Sequence, residues 1–149
     1  MKNLNQLLLN FDYEQNFKED DFYVSQNNYF AYELISKWPK WEKNFLNISG
    51  EKFSGKTHLT NIFLRKFNGI RVESSLLTDE NLKGIKPYQN IILEDLNLHI
   101  NEKLIYSLFN IIDQDNKFLI ITSSEPIVDI DFKLPDLRSR TKHCLLAKI

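Results

Sequence analysis

The sequence is poor in cysteine, glycine and proline: among 149 residues it has one cysteine, Cys144, and four residues each of the other two types. A lone cysteine cannot form an internal disulfide, which is typical of proteins in a reducing cytosol. The sequence also lacks an apolar run long enough to cross a membrane, and its first residues lack the basic start and apolar stretch of a secretory signal peptide. We therefore expect a cytoplasmic protein without a membrane partner.

An excess of either charge is missing as well. The 19 basic and 20 acidic residues leave a formal net charge of −1, so no attraction of the whole molecule to DNA, RNA or anionic membranes is expected. Hydrophobic residues make up 42% of the chain and charged residues 26%, the balance of an ordinary soluble globule. A chain of this length forms one domain with a buried core.

Apolar residues recur with helical and strand spacing in alternating segments from residue 27 onward. Helices are predicted near 27–38, 56–67, 101–113 and 134–140, and strands near 45–48, 70–72, 91–93, 118–121 and 144–147. Strands that alternate with helices favour an α/β fold, with a mainly parallel, five-stranded sheet covered by helices on both faces.

The first twenty residues differ from the rest. The segment Gln-Leu-Leu-Leu-Asn-Phe at 6–11 is a short apolar island, and a polar, acidic stretch follows it. An apolar island on a polar tether is typical of an extended arm. We predict an arm over residues 1–20 and a folded core over 21–149.

A phosphate-binding motif lies between the first predicted strand and the second predicted helix. Residues 50–57, Gly-Glu-Lys-Phe-Ser-Gly-Lys-Thr, match G-x-x-x-x-G-K-[ST] at every fixed position. Glycines permit the tight turn in which backbone N–H groups point at phosphate oxygens. Lys56 would reach the β- and γ-phosphates, and the Thr57 hydroxyl would bind Mg²⁺. The predicted nucleotide contacts in this motif are Gly50, Ser54, Gly55, Lys56 and Thr57. The alternative is a glycine turn with an accidental lysine, which the flanking strand and helix disfavour.

Two carboxylates follow the strand predicted over 91–93. P-loop enzymes hold Mg²⁺ through water with an acidic residue at the end of a neighbouring strand, and hydrolases usually orient the attacking water with a second one. Glu94 takes the metal position and Asp95 the water-orienting position, the reverse of the usual Asp-Glu order, so we expect slow hydrolysis. The alternative is a strand that ends in a solvated acidic turn. Ser124, after the next strand, is either a sensor of the γ-phosphate or an ordinary turn residue.

Several segments carry a resemblance to a known family. Residues 50–59, which end in Gly-Lys-Thr-His-Leu after position 54, resemble the phosphate loop of the bacterial replication initiator DnaA. Residues 121–126, Ile-Thr-Ser-Ser-Glu-Pro, and 134–140, Leu-Pro-Asp-Leu-Arg-Ser-Arg, resemble its sensor strand and arginine-bearing box. Residues 21–28, with Trp-Pro-Lys-Trp at 38–41, are similar to the start of Hda, a subfamily of DnaA homologues that inactivate DnaA.

The resemblance implies a three-layer P-loop NTPase fold of the AAA+ type and assigns roles to further residues. Asn28 would lie near the adenine. Arg140, with Arg138 as the next choice, would act in trans on ATP held by DnaA. A guanidinium group neutralises charge that develops on the γ-phosphate, an effect worth about 10³–10⁵ in rate. The alternative is a solvated arginine near a helix end.

The predicted arm resembles the motif by which Hda binds the sliding clamp of DNA polymerase. Gln6 would supply an amide for orientation, while Leu7, Leu9 and Phe11 would supply apolar side chains for a surface groove. The alternative is an arm that packs on its own domain.

DnaA-like AAA+ proteins continue into a helical lid, and DnaA also has a separate DNA-binding domain. We expect neither within these 149 residues, and hence no direct sequence-specific DNA binding. Three hypotheses follow. The first is an Hda-like regulator that binds DnaA and the clamp and holds ATP or ADP with Mg²⁺. The second is a stand-alone Mg²⁺-dependent ATPase, and the third is a nucleotide-free replication adaptor.

Overall fold

A computed structural model describes residues 24–149 of the chain. Its helices are α1 (Tyr29–Lys37), α2 (Lys56–Phe67), α3 (Asp79–Gly84), α4 (Glu102–Gln114) and α5 (Pro135–Thr141), and its strands are β1 (Phe45–Ser49), β2 (Ile70–Glu73), β3 (Asn90–Leu96), β4 (Phe118–Ser123) and β5 (Leu145–Lys148). None of the helices in this part of the chain has the length and apolar character needed to cross a membrane. The predicted clamp-binding residues Gln6, Leu7, Leu9 and Phe11 lie outside the described residues.

The five strands form one sheet in the order β2-β3-β4-β1-β5, and every neighbouring pair is parallel. β1 lies between β4 and β5, with Phe45 opposite Leu119 and Leu46 opposite Leu145. Parallel neighbours need crossover connections, which the helices supply. The predicted α/β fold with a five-stranded sheet is confirmed.

Helices cover both faces of the sheet. Successive side chains of a strand point to opposite faces, so the apolar residues of one strand contribute to two separate cores. In β3, Ile91 and Leu93 pack into one core and Ile92 packs into the other. The first core includes the helix residues Ile105, Leu108, Phe109, Ile112 and Leu137, and the second includes Ala31, Ile35, Leu59, Ile62 and Phe63. The sheet is therefore the middle layer of three.

Helix ends follow the capping rules, both where the sequence predicts a helix and where it does not. Asn101 caps α4, since its side-chain oxygen accepts hydrogen bonds from two N–H groups of the first turn at 3.0 and 3.4 Å. The helix α3 is absent from the sequence-based prediction. Thr78 and Asn81 stabilise its start by a reciprocal pair of side-chain-to-backbone hydrogen bonds of 2.9 and 3.2 Å. A six-residue helix is too short to show a helical period.

Candidate nucleotide site

Residues 50–55 form the turn between β1 and α2, and the turn needs both glycines of the motif. Gly55 has φ +108°, in the left-handed region that favours glycine. At Gly50, a Cβ atom would lie 2.7 Å from the backbone oxygen of Ile149 and 2.7 Å from Ser54 Oγ, which is too close for either contact. The positive φ at Gly55 and the lack of space for a Cβ atom at Gly50 thus explain why the motif has glycine at these two positions.

The ammonium group of Lys56 folds back over this loop. Its Nζ donates hydrogen bonds to the carbonyl oxygens of Gly50 and Glu51 at 2.5 and 2.9 Å. Burial lowers the pKa of Lys56 below its ordinary value, while the nearby carboxylates of Asp95 and Glu94 oppose the shift. When a phosphate group binds, the Lys56 ammonium could replace these hydrogen bonds to carbonyl oxygens with hydrogen bonds to phosphate oxygens.

An open cavity of ≈ 690 Å³ lies beside the loop, at the carboxyl ends of the strands. Six predicted site residues line it: Gly55, Lys56, Thr57, Glu94, Asp95 and Ser124. Further lining residues are Lys52, Phe53, His58, Glu73 and Thr122. The carboxyl ends of parallel strands are the usual ligand site of open α/β sheets, and the volume suits a small ligand.

Glu94 is the most enclosed carboxylate of the site, with 6% of its surface exposed. Its Oε1 accepts a hydrogen bond from the Thr122 hydroxyl at 2.9 Å. Its Oε2 lies 2.9 Å from Thr60 Oγ1 and 3.0 Å from Arg71 Nε, which forms a salt bridge with it. Arg71 Nη2 also donates to Thr60 Oγ1 at 2.7 Å. The buried carboxylate is therefore both hydrogen-bonded and paired with a cation, as burial of a charge requires.

Asp95 lies at an irregularity where the pairing of β3 with β4 shifts register, and it has φ +61°. Its N–H donates to Thr122 Oγ1 at 2.9 Å, and its carbonyl oxygen accepts from Ser74 Oγ at 2.7 Å. These two hydrogen bonds fix the backbone of Asp95, and the exposed residue lines the cavity. Such bulges commonly redirect a side chain beside a functional site.

The fit of a Mg²⁺ ion to this site is uneven. Within residues 24–149, no group of three or more His, Cys, Asp or Glu side chains is arranged to hold a metal ion. Thr57 lines the cavity and fits its predicted role as a hydroxyl ligand. Glu94 fits the predicted metal position poorly, because three hydrogen bonds occupy most of the acceptor positions of its carboxylate and Arg71 balances its charge.

Arg140, the predicted trans-acting arginine, is directed at α4 and does not line the cavity. Its guanidinium donates to Asn110 Oδ1 at 2.8 Å, to the carbonyl oxygen of Phe109 at 3.2 Å and to the Asp113 carboxylate. It also lies 5.6 Å from the centroid of the Tyr106 ring. Its side chain is 20% exposed. The trans-acting role of Arg140 stays a prediction.

The remaining predicted nucleotide contacts, Asn28, Gly50 and Ser54, do not line the cavity. Asn28 is the N-cap residue of α1, and its side-chain oxygen accepts a hydrogen bond from the Ser25 N–H at 2.8 Å. Gly50 and Ser54 shape the loop without lining the cavity. Contact of Asn28 with adenine stays a prediction.

Three residues that matter to the site are absent from the sequence-based prediction: Arg71, Thr60 and Thr122. They belong to β2, α2 and β4, and none is a fixed position of the phosphate-loop motif. Arg71 is a charged residue flanked by the apolar Ile70 and Val72 in a predicted strand. This unusual position is the only sequence feature that could have indicated a role for it.

Comparison with known proteins bears on the fold. No protein-family model matches the chain. An uncharacterized protein of Haemophilus influenzae is 29% identical over 134 residues, covering 81% of this chain and 58% of that protein. AMPPCP-bound DnaA from Aquifex aeolicus superposes with a TM-score of 0.73 at 20% identity, covering 89% of this chain and 49% of DnaA. DnaI superposes with a TM-score of 0.67 at 15% identity, covering 97% of this chain and 90% of DnaI.

These likenesses identify the class of fold. The described domain has a DnaA-like AAA+ fold, a P-loop α/β core with a five-stranded parallel sheet. The chain spans 49% of the length of the A. aeolicus DnaA chain and 58% of the length of the H. influenzae protein. Membership of the Hda subfamily stays a prediction.

Proposed function

We propose that this chain is a DnaA-like AAA+ module that binds ATP or ADP through residues 50–57. The observation that carries the proposal is the convergence of Lys56, Thr57 and Ser124 on one cavity beside the loop. Lys56 would contact the β- and γ-phosphates, Ser124 would approach the γ-phosphate, and loop N–H groups at the positive end of α2 would face phosphate oxygens. The AMPPCP bound by A. aeolicus DnaA supports this proposal.

Hydrolysis by this domain alone is expected to be slow. Asp95 is the candidate for orienting the attacking water, and it follows a Glu94 whose charge is already balanced by Arg71. Cation stabilisation of the developing phosphate charge is a large part of phosphoryl-transfer catalysis. Because Glu94 is already paired with Arg71, we favour nucleotide binding without rapid turnover over a stand-alone ATPase.

The role that we propose for the nucleotide-bound domain is Hda-like regulation of replication initiation. It would contact the sliding clamp through Gln6, Leu7, Leu9 and Phe11 and stimulate hydrolysis of ATP bound to DnaA. The DnaA-like fold and the Leu-Pro-Asp-Leu-Arg-Ser-Arg segment support this role. Arg138, whose side chain is 53% exposed, is an equal candidate for the trans-acting arginine, because Arg140 is engaged by α4.

Nucleotide binding is tested by thermal unfolding with and without saturating ADP or ATP. A ligand that binds only the folded state raises the melting temperature, so we expect a rise for the unmodified protein and none for Lys56→Ala. Lys103→Ala, which removes an exposed lysine on α4, is the matched control and should keep the rise. No rise in the unmodified protein would contradict nucleotide binding and favour the nucleotide-free adaptor.

The regulatory role is tested by following hydrolysis of ATP pre-bound to DnaA from the same organism, in the presence of DNA-loaded clamp. We expect stimulation by the unmodified chain and its loss in Gln6→Ala. Arg138→Ala and Arg140→Ala identify the trans-acting arginine, provided that circular dichroism shows each variant to be folded. Stimulation that survives in both arginine variants would eliminate the trans-acting role of this segment.

A further inference from the structure

We propose that Arg71 takes the place of a divalent cation beside Glu94, so that this domain binds nucleotide without requiring Mg²⁺. The inference rests on the proposed nucleotide binding and concerns the same site. Its observation is the salt bridge of 3.0 Å between Arg71 Nε and Glu94 Oε2, at the residue where P-loop proteins place their metal carboxylate.

The fold builds this salt bridge. In the parallel pairing of β2 with β3, Glu73 lies opposite Glu94 and Arg71 lies opposite Ile92. Arg71 is therefore the diagonal neighbour of Glu94 on the same face of the sheet, a separation that a long side chain spans. Thr60 braces the pair from α2, since its hydroxyl oxygen accepts from Arg71 Nη2 at 2.7 Å and lies 2.9 Å from Glu94 Oε2.

The charge balance explains why the pair matters to a nucleotide. An ionised carboxylate at the edge of the cavity repels phosphate oxygens unless a cation neutralises it. Arg71 differs from a bound metal ion in that its positive charge is covalently part of the site. Glu94 is therefore neutralised before any ligand arrives.

A metal ion would compete with Arg71 for the same carboxylate. Mg²⁺ demands near-ideal octahedral coordination by oxygen ligands, and both Glu94 oxygens already accept hydrogen bonds from Thr60, Thr122 and Arg71. A Mg²⁺ ion held at Glu94, directly or through water, would lie beside the guanidinium group of Arg71, and the two cations would repel each other. Glu94 should therefore add little to the affinity of the site for Mg²⁺.

The direct test compares the affinity of the unmodified protein for ADP, by isothermal titration calorimetry, in Mg²⁺ and in EDTA. We expect the two dissociation constants to agree within about twofold. A loss of affinity of about tenfold or more in EDTA would overturn the inference and leave the proposed nucleotide binding intact. Absence of binding in both conditions would overturn both proposals.

Substitution of Arg71 tests its role separately. In Arg71→Gln, Glu94 loses its counter-cation, so the affinity for ADP in EDTA should fall about tenfold and Mg²⁺ should restore it. Arg65→Gln removes an exposed arginine from α2 and should behave as the unmodified protein. Equal affinities of Arg71→Gln in EDTA and in Mg²⁺ would overturn the role of Arg71.

A second readout needs no nucleotide. Mn²⁺, followed by electron paramagnetic resonance as a substitute for Mg²⁺, should bind Arg71→Gln more tightly than the unmodified protein. The double variant Arg71→Gln with Glu94→Gln removes both charges, so it should fold even where the single variant does not, and should bind ADP independently of metal. Tight Mn²⁺ binding by the unmodified protein that Glu94→Gln abolishes would overturn the inference.

Discussion

At the scale of single residues, Asn47 shows why β1 carries a polar side chain in its buried centre. It is 0% exposed. Its Nδ2 donates to the carbonyl oxygen of Ile121 at 3.1 Å and to Ser123 Oγ at 2.9 Å, and its Oδ1 accepts from the Ile127 N–H at 2.8 Å. The Asn47 amide thus joins β1, the strand that leads into the phosphate loop, to β4 and to the turn after β4.

We expect Asn47→Ala to lower the free energy of unfolding by about 1–3 kcal/mol, because it leaves the buried Ile127 N–H without its acceptor. Urea denaturation followed by circular dichroism measures the change. Asn27→Ala, at an exposed position before α1, is the matched control and should change stability by less than about 0.5 kcal/mol. Equal stabilities of the two variants would contradict the role given to Asn47.

Lys56 leads to a prediction on pH. Phosphate binds the protonated amine, so affinity for ADP falls once the pH exceeds the pKa of Lys56 in the free protein. Because burial lowers that pKa, the fall should begin at a lower pH than an ordinary lysine would give. Calorimetric titration over the alkaline range measures it, and Lys56→Arg, which stays charged throughout, should show a flatter profile. Identical profiles would argue against Lys56 as the phosphate cation.

The residue scale also shows what the sequence can and cannot predict. The cavity residues Gly55, Lys56 and Thr57 were predictable because they belong to one contiguous motif whose spacing has a chemical reason. The cluster of Thr60, Arg71 and Thr122 around Glu94 was not, since its members come from separate elements and meet only after the sheet forms.

At the scale of elements, the helix α5 is held to α4 at both of its ends. The Glu102 carboxylate, in the first turn of α4, accepts hydrogen bonds from the N–H groups of Lys133 and Leu134 at 2.8–3.0 Å, just before α5 begins. Near the other end, Arg140 contacts Asn110 and Asp113 of α4. A seven-residue helix is not stable by itself, so these contacts fix its position.

This docking predicts different effects for the two arginines of α5. Arg140→Ala should lower the free energy of unfolding by about 1–2 kcal/mol, since it removes charge-assisted hydrogen bonds from a partly buried group. Arg138→Ala should change it by less than about 0.5 kcal/mol, because its contact with Asp131 is an exposed ion pair at 3.9 Å. Chemical denaturation of the two variants, side by side, provides the measurement. An equal loss of stability would mean that Arg140 does not anchor α5.

Elements with a strong period or a full apolar run were predictable within a few residues. The strand predicted near 118–121 is β4, Phe118–Ser123, and the helix predicted near 56–67 is α2, Lys56–Phe67. The order of strands in the sheet was not predictable from local pattern, because β1 pairs with β4 and β5 and makes no pair with β2, the next strand in sequence.

At the scale of the whole molecule, the single cysteine reports on unfolding. Cys144 is 5% exposed and packs in the first core. Burial raises the pKa of its thiol to about 12, with a smaller opposing effect from Lys43. Only the thiolate reacts readily, so the folded protein should resist thiol reagents.

We expect the rate at which an aromatic disulfide reagent modifies Cys144 to follow the fraction of molecules that open or unfold. Saturating ADP should slow the reaction, because a ligand of the folded state lowers that fraction, and Lys56→Ala should abolish the slowing. The absorbance of the released thiol measures the rate, with denatured protein as the reference for a fully accessible cysteine. Rapid modification under native conditions would contradict the buried position of Cys144.

The sheet order also has a consequence for biosynthesis. β1, which leads directly into the phosphate loop, finds its two neighbours late: Asn47 and Ile121 are 74 residues apart, and Leu146 of β5 lies opposite Asn47 on the other side. A ribosome must therefore translate nearly all of the described domain before the loop acquires its support. A nascent chain that stalls before β4 contains the complete motif but lacks both strands that pair with β1, so we expect it not to bind nucleotide.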